Sequence, residues 1–331
     1  MHEVLIAGLG SVGRRHLANL RSLGCESVRL YRSGRATLPD DDLSGLPFER
    51  DLSAALARRP TAVIVANPSA LHVPVALAAA RAGAHLLIEK PLSHDLDGVA
   101  ELEAAVEAGR LTALVGFQFR FNPGLRQIKA WLEDGAIGAV ISAQVHWGEH
   151  LPAMHPWEDY RVGYAARPEL GGGVLLTLCH PFDYLRWLLG EVDEVRATEA
   201  RRGPFGVAVE TCVDVSLRFA VGAVAHVHLD FLQQPREHRL VIAGTEGTIA
   251  WGDADHAARL CRGATGEWTV AEPPQAFERN GMFIDEMRHF LACLRGEARP
   301  CCTLADGRAA LEIVLAAKRA IAGPLVPVHA A

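Results

Sequence analysis

The hexapeptide Gly8-Leu9-Gly10-Ser11-Val12-Gly13 limits what this chain can fold into more than any other stretch. It follows a short apolar run, Val4–Ala7, and opens a helical pattern, Val12–Leu23. By itself G-x-G-x-x-G is a weak signal, but between a strand and a helix each glycine has a task. The first makes the tight turn, the second lets backbone N–H groups approach a pyrophosphate, and the third lets the helix sit close to the sheet. The helix N-terminus adds a field that favours phosphate. Gly8, Gly10, Ser11, Val12 and Gly13 are therefore expected to hold a dinucleotide; the alternative is a plain strand–helix turn. An acidic residue about 20 positions on would bind the adenosine ribose. Here the second strand ends in Tyr31-Arg32-Ser33-Gly34-Arg35, with no carboxylate. Arg32, Ser33 and Arg35 suit a 2′-phosphate, so NADP(H) is the preferred cofactor and NAD(H) a possible one. The competing reading is an exposed basic loop that never meets the cofactor.

The surrounding pattern agrees with such a domain. Short apolar runs (Val4–Ala7, Ser27–Tyr31, Ala62–Ala66, His85–Glu89, Leu111–Gln118) alternate with helical stretches at Val12–Leu23, Leu52–Arg59, His72–Ala82 and Asp95–Ala108. Asp51, Ser69 and Ser93 are expected caps, and Gly24, Gly83 and Gly109 follow the helices. Apolar strands alternating with helices predict an α/β domain, a doubly wound parallel sheet, over residues 1–120. After Phe121 the pattern changes. A helix is expected over Pro123–Asp134. Alternating strands then follow at Ala139–Trp147, Glu194–Ala200, Glu210–Phe219, Ala223–Leu232 and Arg239–Ala243, suiting an antiparallel meander. Helices are expected at Gly172–Leu189, Phe283–Arg295 and Leu304–Ala322. Residues 121–331 thus read as an α+β domain with a large, mostly antiparallel open sheet, its last helix available to pack back on the first domain.

Charge and composition exclude other classes. Lys and Arg number 33 against 39 Asp and Glu, a net charge of −6 that offers no basic footprint for nucleic acid. No apolar run approaches the roughly 18 to 20 residues of a membrane span. The start, MHEVLIAGLG, lacks the basic region and cleavage site of a signal peptide. A cytoplasmic protein with seven reduced cysteines is expected. No C-x-x-C spacing occurs. His226, His228 and Asp230 share one strand face, and His146, His150 and His155 raise the same question, but without a matching fourth ligand no metal is expected.

Further blocks follow the glycine loop in order: Val63-Ile64-Val65-Ala66-Asn67-Pro68-Ser69-Ala70-Leu71-His72, Glu89-Lys90-Pro91, Gly116-Phe117-Gln118-Phe119-Arg120-Phe121-Asn122-Pro123 and Gly171-Gly172-Gly173-Val174-Leu175-Leu176. With the loop, they resemble the glucose-fructose oxidoreductase / inositol dehydrogenase / rhizopine catabolism (Gfo/Idh/MocA) family over almost the whole chain. The segment His155-Pro156-Trp157-Glu158-Asp159-Tyr160-Arg161 is similar to a subgroup linked to unusual sugars and surface polysaccharides. The resemblance implies an N-terminal Rossmann domain and a C-terminal domain whose sheet joins subunits. It also implies interconversion of a hydroxyl and a ketone on a sugar, cyclitol or sugar derivative. Carried over by motif, the catalytic lysine is Lys90 and the histidine His180. The family's usual aspartate is replaced by Thr177, three residues before His180 rather than four. Asp183, one helical turn from His180, is available to supply a carboxylate instead.

Hydride transfer leaves a proton to move on the substrate oxygen, work suited to a histidine near neutral pH. A lysine at a strand's C-terminal end, facing the cofactor crevice, can stabilise the developing alkoxide. The bland alternatives are a solvated lysine and a satisfied core histidine. Asn67, Pro68, Ser69, His72, Glu89, Lys90 and Gln118 are expected beside the cofactor. Lys90, Arg120, His155, Trp157, Arg161, Thr177, His180 and Asp183 are expected beside the substrate, with Trp157 offering a flat apolar face to a sugar ring. Two other functions share this scaffold: a non-catalytic dinucleotide sensor, which the missing aspartate favours, and a reductase of a C=N bond or a non-sugar carbonyl. A homodimer or homotetramer is expected, because a broad sheet needs cover on both faces.

Overall fold

The computed structural model describes residues 3–34, 38, 43, 45–201, 203–263, 266–321 and 323; Arg35 lies outside them. Six parallel strands form the first sheet: β1 (Val4–Ala7), β2 (Val28–Tyr31), β3 (Phe48–Glu49), β4 (Ala62–Val65), β5 (His85–Glu89) and β6 (Ala113–Gly116). Their order is β3-β2-β1-β4-β5-β6. The strand order reverses between β1 and β4, which opens a crevice at their C-terminal ends. Every residue of β1 and β4 is buried, as a strand covered on both faces requires. Helices α1 (Ser11–Ser22), α2 (Leu52–Ala57), α3 (His72–Arg81) and α4 (Val99–Ala108) connect the strands. Asp51 caps α2 by accepting from the Ala54 N–H at 2.8 Å. Ser69 and Ser93 do not act as caps. Ser69 begins a 3-10 turn, Leu71 precedes α3, and α4 starts only at Val99 after Gly98, whose φ is +74°. The expected strand over 111–118 ends at Gly116, and Gln118–Phe121 is a 3-10 turn.

The second sheet has eight strands in the order β14-β13-β12-β11-β7-β10-β9-β8. After α5 (Pro123–Glu133) come β7 (Val140–Gly148), α6 (Leu151–Met154), α7 (Val174–Thr177), α8 (His180–Leu189), β8 (Val192–Glu199), β9 (Cys212–Phe219), β10 (Val224–Asp230) and β11 (Glu237–Gly244). Then follow β12 (Gly247–Gly252), β13 (Ala258–Arg262), β14 (Trp268–Ala271), α9 (Arg279–Leu294) and α10 (Leu304–Ile321). The expected meander is corrected in one place: β7 and β10 pair in parallel, and the other neighbours are antiparallel. The helix expected over 172–189 is two helices. The chain breaks at Leu178 and Cys179, so His180 begins α8 instead of lying mid-helix. On β10, Ala225, Val227 and Leu229 are buried, while Val224 and His226 face outward.

Two contacts lock the sheets together. The Val115 N–H of β6 donates to the Cys302 carbonyl at 3.0 Å, and α10 lays Gly307 on Val115 and Leu92 so closely that a Cβ there would lie 2.8 Å from Val115 Cγ2. The Gly171–Gly173 run makes the second contact. A Cβ at Gly171 would come within 2.9 Å of Ser69 and His94 side chains, and one at Gly172 within 2.6 Å of the Tyr164 carbonyl.

Candidate active site at the junction of the two sheets

The glycine loop has the shape a dinucleotide needs. Gly8 has φ +102°, and a Cβ there would lie 2.5 Å from the Asn67 nitrogen. A Cβ on Gly13 would strike the Gly8 carbonyl at 2.0 Å, whereas Gly10 faces open space. The first and third glycines are therefore packing requirements, and the second leaves the backbone clear for phosphate. Arg32 follows β2 with its guanidinium 5.2 Å from the Phe48 ring centre, and Ser33 is exposed beside it. His72 ties the crevice floor together: its ring nitrogens lie 2.8 Å from the Pro91 and Asn67 carbonyls.

Lys90 follows β5 and reaches across the junction. Its Nζ donates to the Thr177 carbonyl at 2.7 Å. The anchor is a main-chain atom at the end of α7, and the Thr177 hydroxyl is buried with no partner among the described residues. Burial alone lowers the Lys90 pKa, and its neighbours reverse that. Burial pushes the neighbouring Cys179 thiol up to about 11 and raises Tyr164 as well, so both keep their protons. The Glu89 and Glu149 carboxylates are then the charges that keep the amine protonated.

His180 is 2% exposed in an aromatic box. Phe119 stands edge-on at 4.8 Å, Phe117 at 5.6 Å, and Trp147 stacks at 5.7 Å. The Gln118 amide nitrogen is 3.3 Å from Nε2, and Nδ1 has no partner among the described residues. Burial, then the Lys90 charge, holds the His180 pKa well below its ordinary value. The imidazole is neutral near pH 7 and able to take up a proton.

Other expected site residues lie elsewhere. Arg120 and Asp183 do not line a sugar site. Both are buried, and the guanidinium forks onto the Asp183 carboxylate at 2.6 and 3.0 Å and onto the Cys301 carbonyl at 2.6 Å. Asp183 does stand one turn from His180, but it turns inward to Arg120. Glu89 likewise lies beneath the crevice, 2.6 Å from His16 Nε2, and its other oxygen accepts from the Lys90 N–H at 3.3 Å. His155 stacks on the exposed Trp157 at 4.8 Å and lies 6.5 Å from the Tyr164 ring. Arg161 pairs with Asp159 on the exposed side. On the outer sheet face, His228 is held between Asp230 and Asp214, which raise its pKa to about 9. His146 stacks on His228.

Sequence reasoning missed Tyr164, Glu149, Arg236 and Arg279. Arg236 bonds Glu149 at 2.5 Å, and Glu149 accepts from the Trp147 indole at 2.9 Å. These residues come from loops and element ends with no periodic pattern, so no local signal marks them.

Residues 2–117 match the family described as "Oxidoreductase family, NAD-binding Rossmann fold", and residues 125–250 match "GFO/IDH/MocA C-terminal domain". The chain belongs to the Gfo/Idh/MocA family of oxidoreductases. It is 27% identical to the uncharacterized oxidoreductase YrbE of Bacillus subtilis (strain 168), with 96% of this chain and 93% of that one covered. It is 29% identical to 1,5-anhydro-D-fructose reductase of Ensifer adhaerens, over 79% of this chain and 77% of that one. A solved levoglucosan dehydrogenase, in complex with NADH and levoglucosan, superposes with a TM-score of 0.85 at 21% identity, over 97% of each chain. That likeness is one of fold. Among the described residues, no helix is long and apolar enough to cross a membrane.

Proposed function

We propose that this oxidoreductase interconverts a hydroxyl and a ketone on a sugar-like substrate, with the division near residue 120 separating a cofactor half from a substrate half. The observation that carries the reading is the 2.7 Å contact from Lys90 Nζ to the Thr177 carbonyl. It fixes a protonated amine at the mouth of the dinucleotide crevice, on the side where α8 presents His180. The relative named 1,5-anhydro-D-fructose reductase supports the substrate class. A bound nicotinamide cofactor would supply the donor or acceptor for hydride transfer. Lys90 donates to the substrate oxygen and favours its alkoxide-like charge. In the oxidative direction, neutral His180 takes the hydroxyl proton; in reduction it returns one. At the position of the family's usual aspartate, the Thr177 carbonyl holds Lys90, and among the described residues no carboxylate bonds His180.

NADP(H) is the proposed cofactor, since Arg32 and Ser33 stand where a ribose-binding acid is missing. We infer a cytoplasmic location, and a homodimer or homotetramer packed on the outer face of the second sheet. A single-chain mass by light scattering at micromolar concentration would contradict the assembly. The activity is tested by following NADPH and NADH absorbance against a panel of keto-sugars. Consumption with at least one sugar is expected; binding without consumption would favour a sensor. In the same assay Arg32→Ala should weaken NADPH about 10- to 150-fold more than NADH, the loss of a charge-assisted contact. Equal effects on both cofactors would show that Arg32 does not read the phosphate.

A further inference from the structure

The parallel pairing of β7 and β10 sets His146 beside His228 on the outer face of the second sheet. Their rings stack 4.7 Å apart, 16° from parallel. Asp230, two residues along β10 and so on the same face, is buried, and its Oδ2 lies 3.2 Å from His228 Nε2. One ligand atom from each of these three residues falls within 4.8 Å of the others. The chain then bends. Asp230 Oδ1 accepts from the Leu232 and Gln233 N–H groups at 2.6 and 2.7 Å, which turns Gln233 back over the strand end. The Gln233 amide is oriented at both ends: its Nε2 donates to Glu237 at 2.9 Å, and its Oε1 meets His146 Nε2. Gln233 is the fourth polar group that the strand pattern alone does not disclose.

Two features suit this cluster to a cation. Gly148, at the end of β7, keeps the space open: a Cβ there would lie 2.5 Å from Asp230 Oδ2 and 2.8 Å from Gln233 Oε1, so both oxygens close over the same point. On the far side of the ring, His228 Nδ1 donates to Asp214 at 2.8 Å. That contact leaves Nε2 facing Asp230, the carboxylate–histidine arrangement that orients a metal-bound imidazole and raises its basicity. The nearest cation in register, Arg239 of β11, is paired with Glu237 at 3.3 Å. Two imidazoles and two oxygens match a borderline ion such as zinc, whereas magnesium takes oxygen ligands and water.

We propose that His146, His228, Asp230 and Gln233 form a zinc site that pins β7 to β10. Four protein ligands leave no open position, which makes the ion structural. Zinc takes the place of the protons that join each histidine to its oxygen, and those protons are released on binding. Tag-free, chelator-treated protein is titrated calorimetrically with zinc chloride, and with magnesium chloride for comparison. One zinc per chain should bind, with magnesium at least about 100-fold weaker. His146→Ala and Asp230→Asn should each weaken zinc at least about 10-fold. Asp214→Asn, which alters only the far nitrogen's partner, should weaken it about 10- to 100-fold. His226→Ala, on the same face but bonded to Ser216, should bind zinc as wild type does. Saturating zinc should raise the thermal midpoint of the wild type and leave that of His146→Ala unmoved. Absence of zinc binding in the wild type, or wild-type affinity in His146→Ala, overturns the proposal. So does half an ion per chain, which would place it between two copies. Loss of zinc in His226→Ala would move the ligands along β10 and overturn it as well.

Discussion

Lys90 and Arg120 are two cations drawn into the same interior with opposite consequences. Lys90 has a single neutral anchor, the Thr177 carbonyl, and leaves donors for a substrate oxygen. Arg120 spends its fork on Asp183 and Cys301, and is also 3.3 Å from Asp306. Removing one partner of a buried pair leaves an uncompensated charge, at a cost of about 3–5 kcal/mol. Asp183→Leu should therefore lower the unfolding free energy measured by urea denaturation by an amount in that range, and Arg120→Met in the same chain should recover part of the loss. A single-mutant loss below about 1 kcal/mol would show that the pair contributes little. The apolar run ending in Glu-Lys-Pro made the place of Lys90 at a strand's end legible in the sequence. Asp183 was misassigned because an i, i+3 spacing puts two residues on neighbouring faces without saying which neighbour each meets. The 3-10 turn carrying Arg120 decides that, and it comes from 63 positions away.

Where α1, β5 and α9 meet, a buried trio joins three elements. His16 pairs with Glu89, and Glu286 of α9 lies beside them, fully buried with both carboxylate oxygens lacking a partner among the described residues. Burial first, and then the Glu89 charge, raises the Glu286 pKa well above its ordinary value. Glu286 keeps its proton in the folded chain at pH values where the unfolded chain has released it. Its stabilising protonated state is fully favoured below about pH 4.3 and is lost progressively as pH rises toward the elevated value. Glu286→Gln carries no such proton. Its stability relative to wild type should improve with increasing pH above about 5, by at most about 1.4 kcal/mol per unit. Parallel unfolding profiles between pH 5 and 8 would contradict the assignment. At this scale the elements themselves were readable where one pattern ran unbroken, as in β1, β4 and β5. Four strands, β3 and β12 to β14, went unread because they are short and, in β14, largely exposed. The break at Leu178 and Cys179 was hidden because both are apolar and continue the helical pattern.

Across the whole molecule, the site exists only because the sheets are locked. The Val115–Cys302 bond, the seating of Gly307 and the glycine run against Ser69 set the separation between the dinucleotide crevice and α8. The alternation of strands and helices revealed the first sheet, and the change of pattern after Phe121 revealed a second. The way they meet was not legible, since it depends on close approaches among backbone atoms distant in sequence. The account's central claim is that Lys90 and His180 serve one transition state in this junction. It is tested most directly by single-turnover hydride transfer with a responsive keto-sugar in Lys90→Met, His180→Ala and the double variant, with NADPH binding measured alongside. Loss of a positioned proton-transfer group costs about 10²–10⁴ in rate, and His180→Ala should fall in that range. Lys90→Met should also slow transfer while binding NADPH nearly as wild type does, and the double variant should lose less than the product of the two. Near-normal transfer rates in both single variants would contradict the claim and leave only the fold.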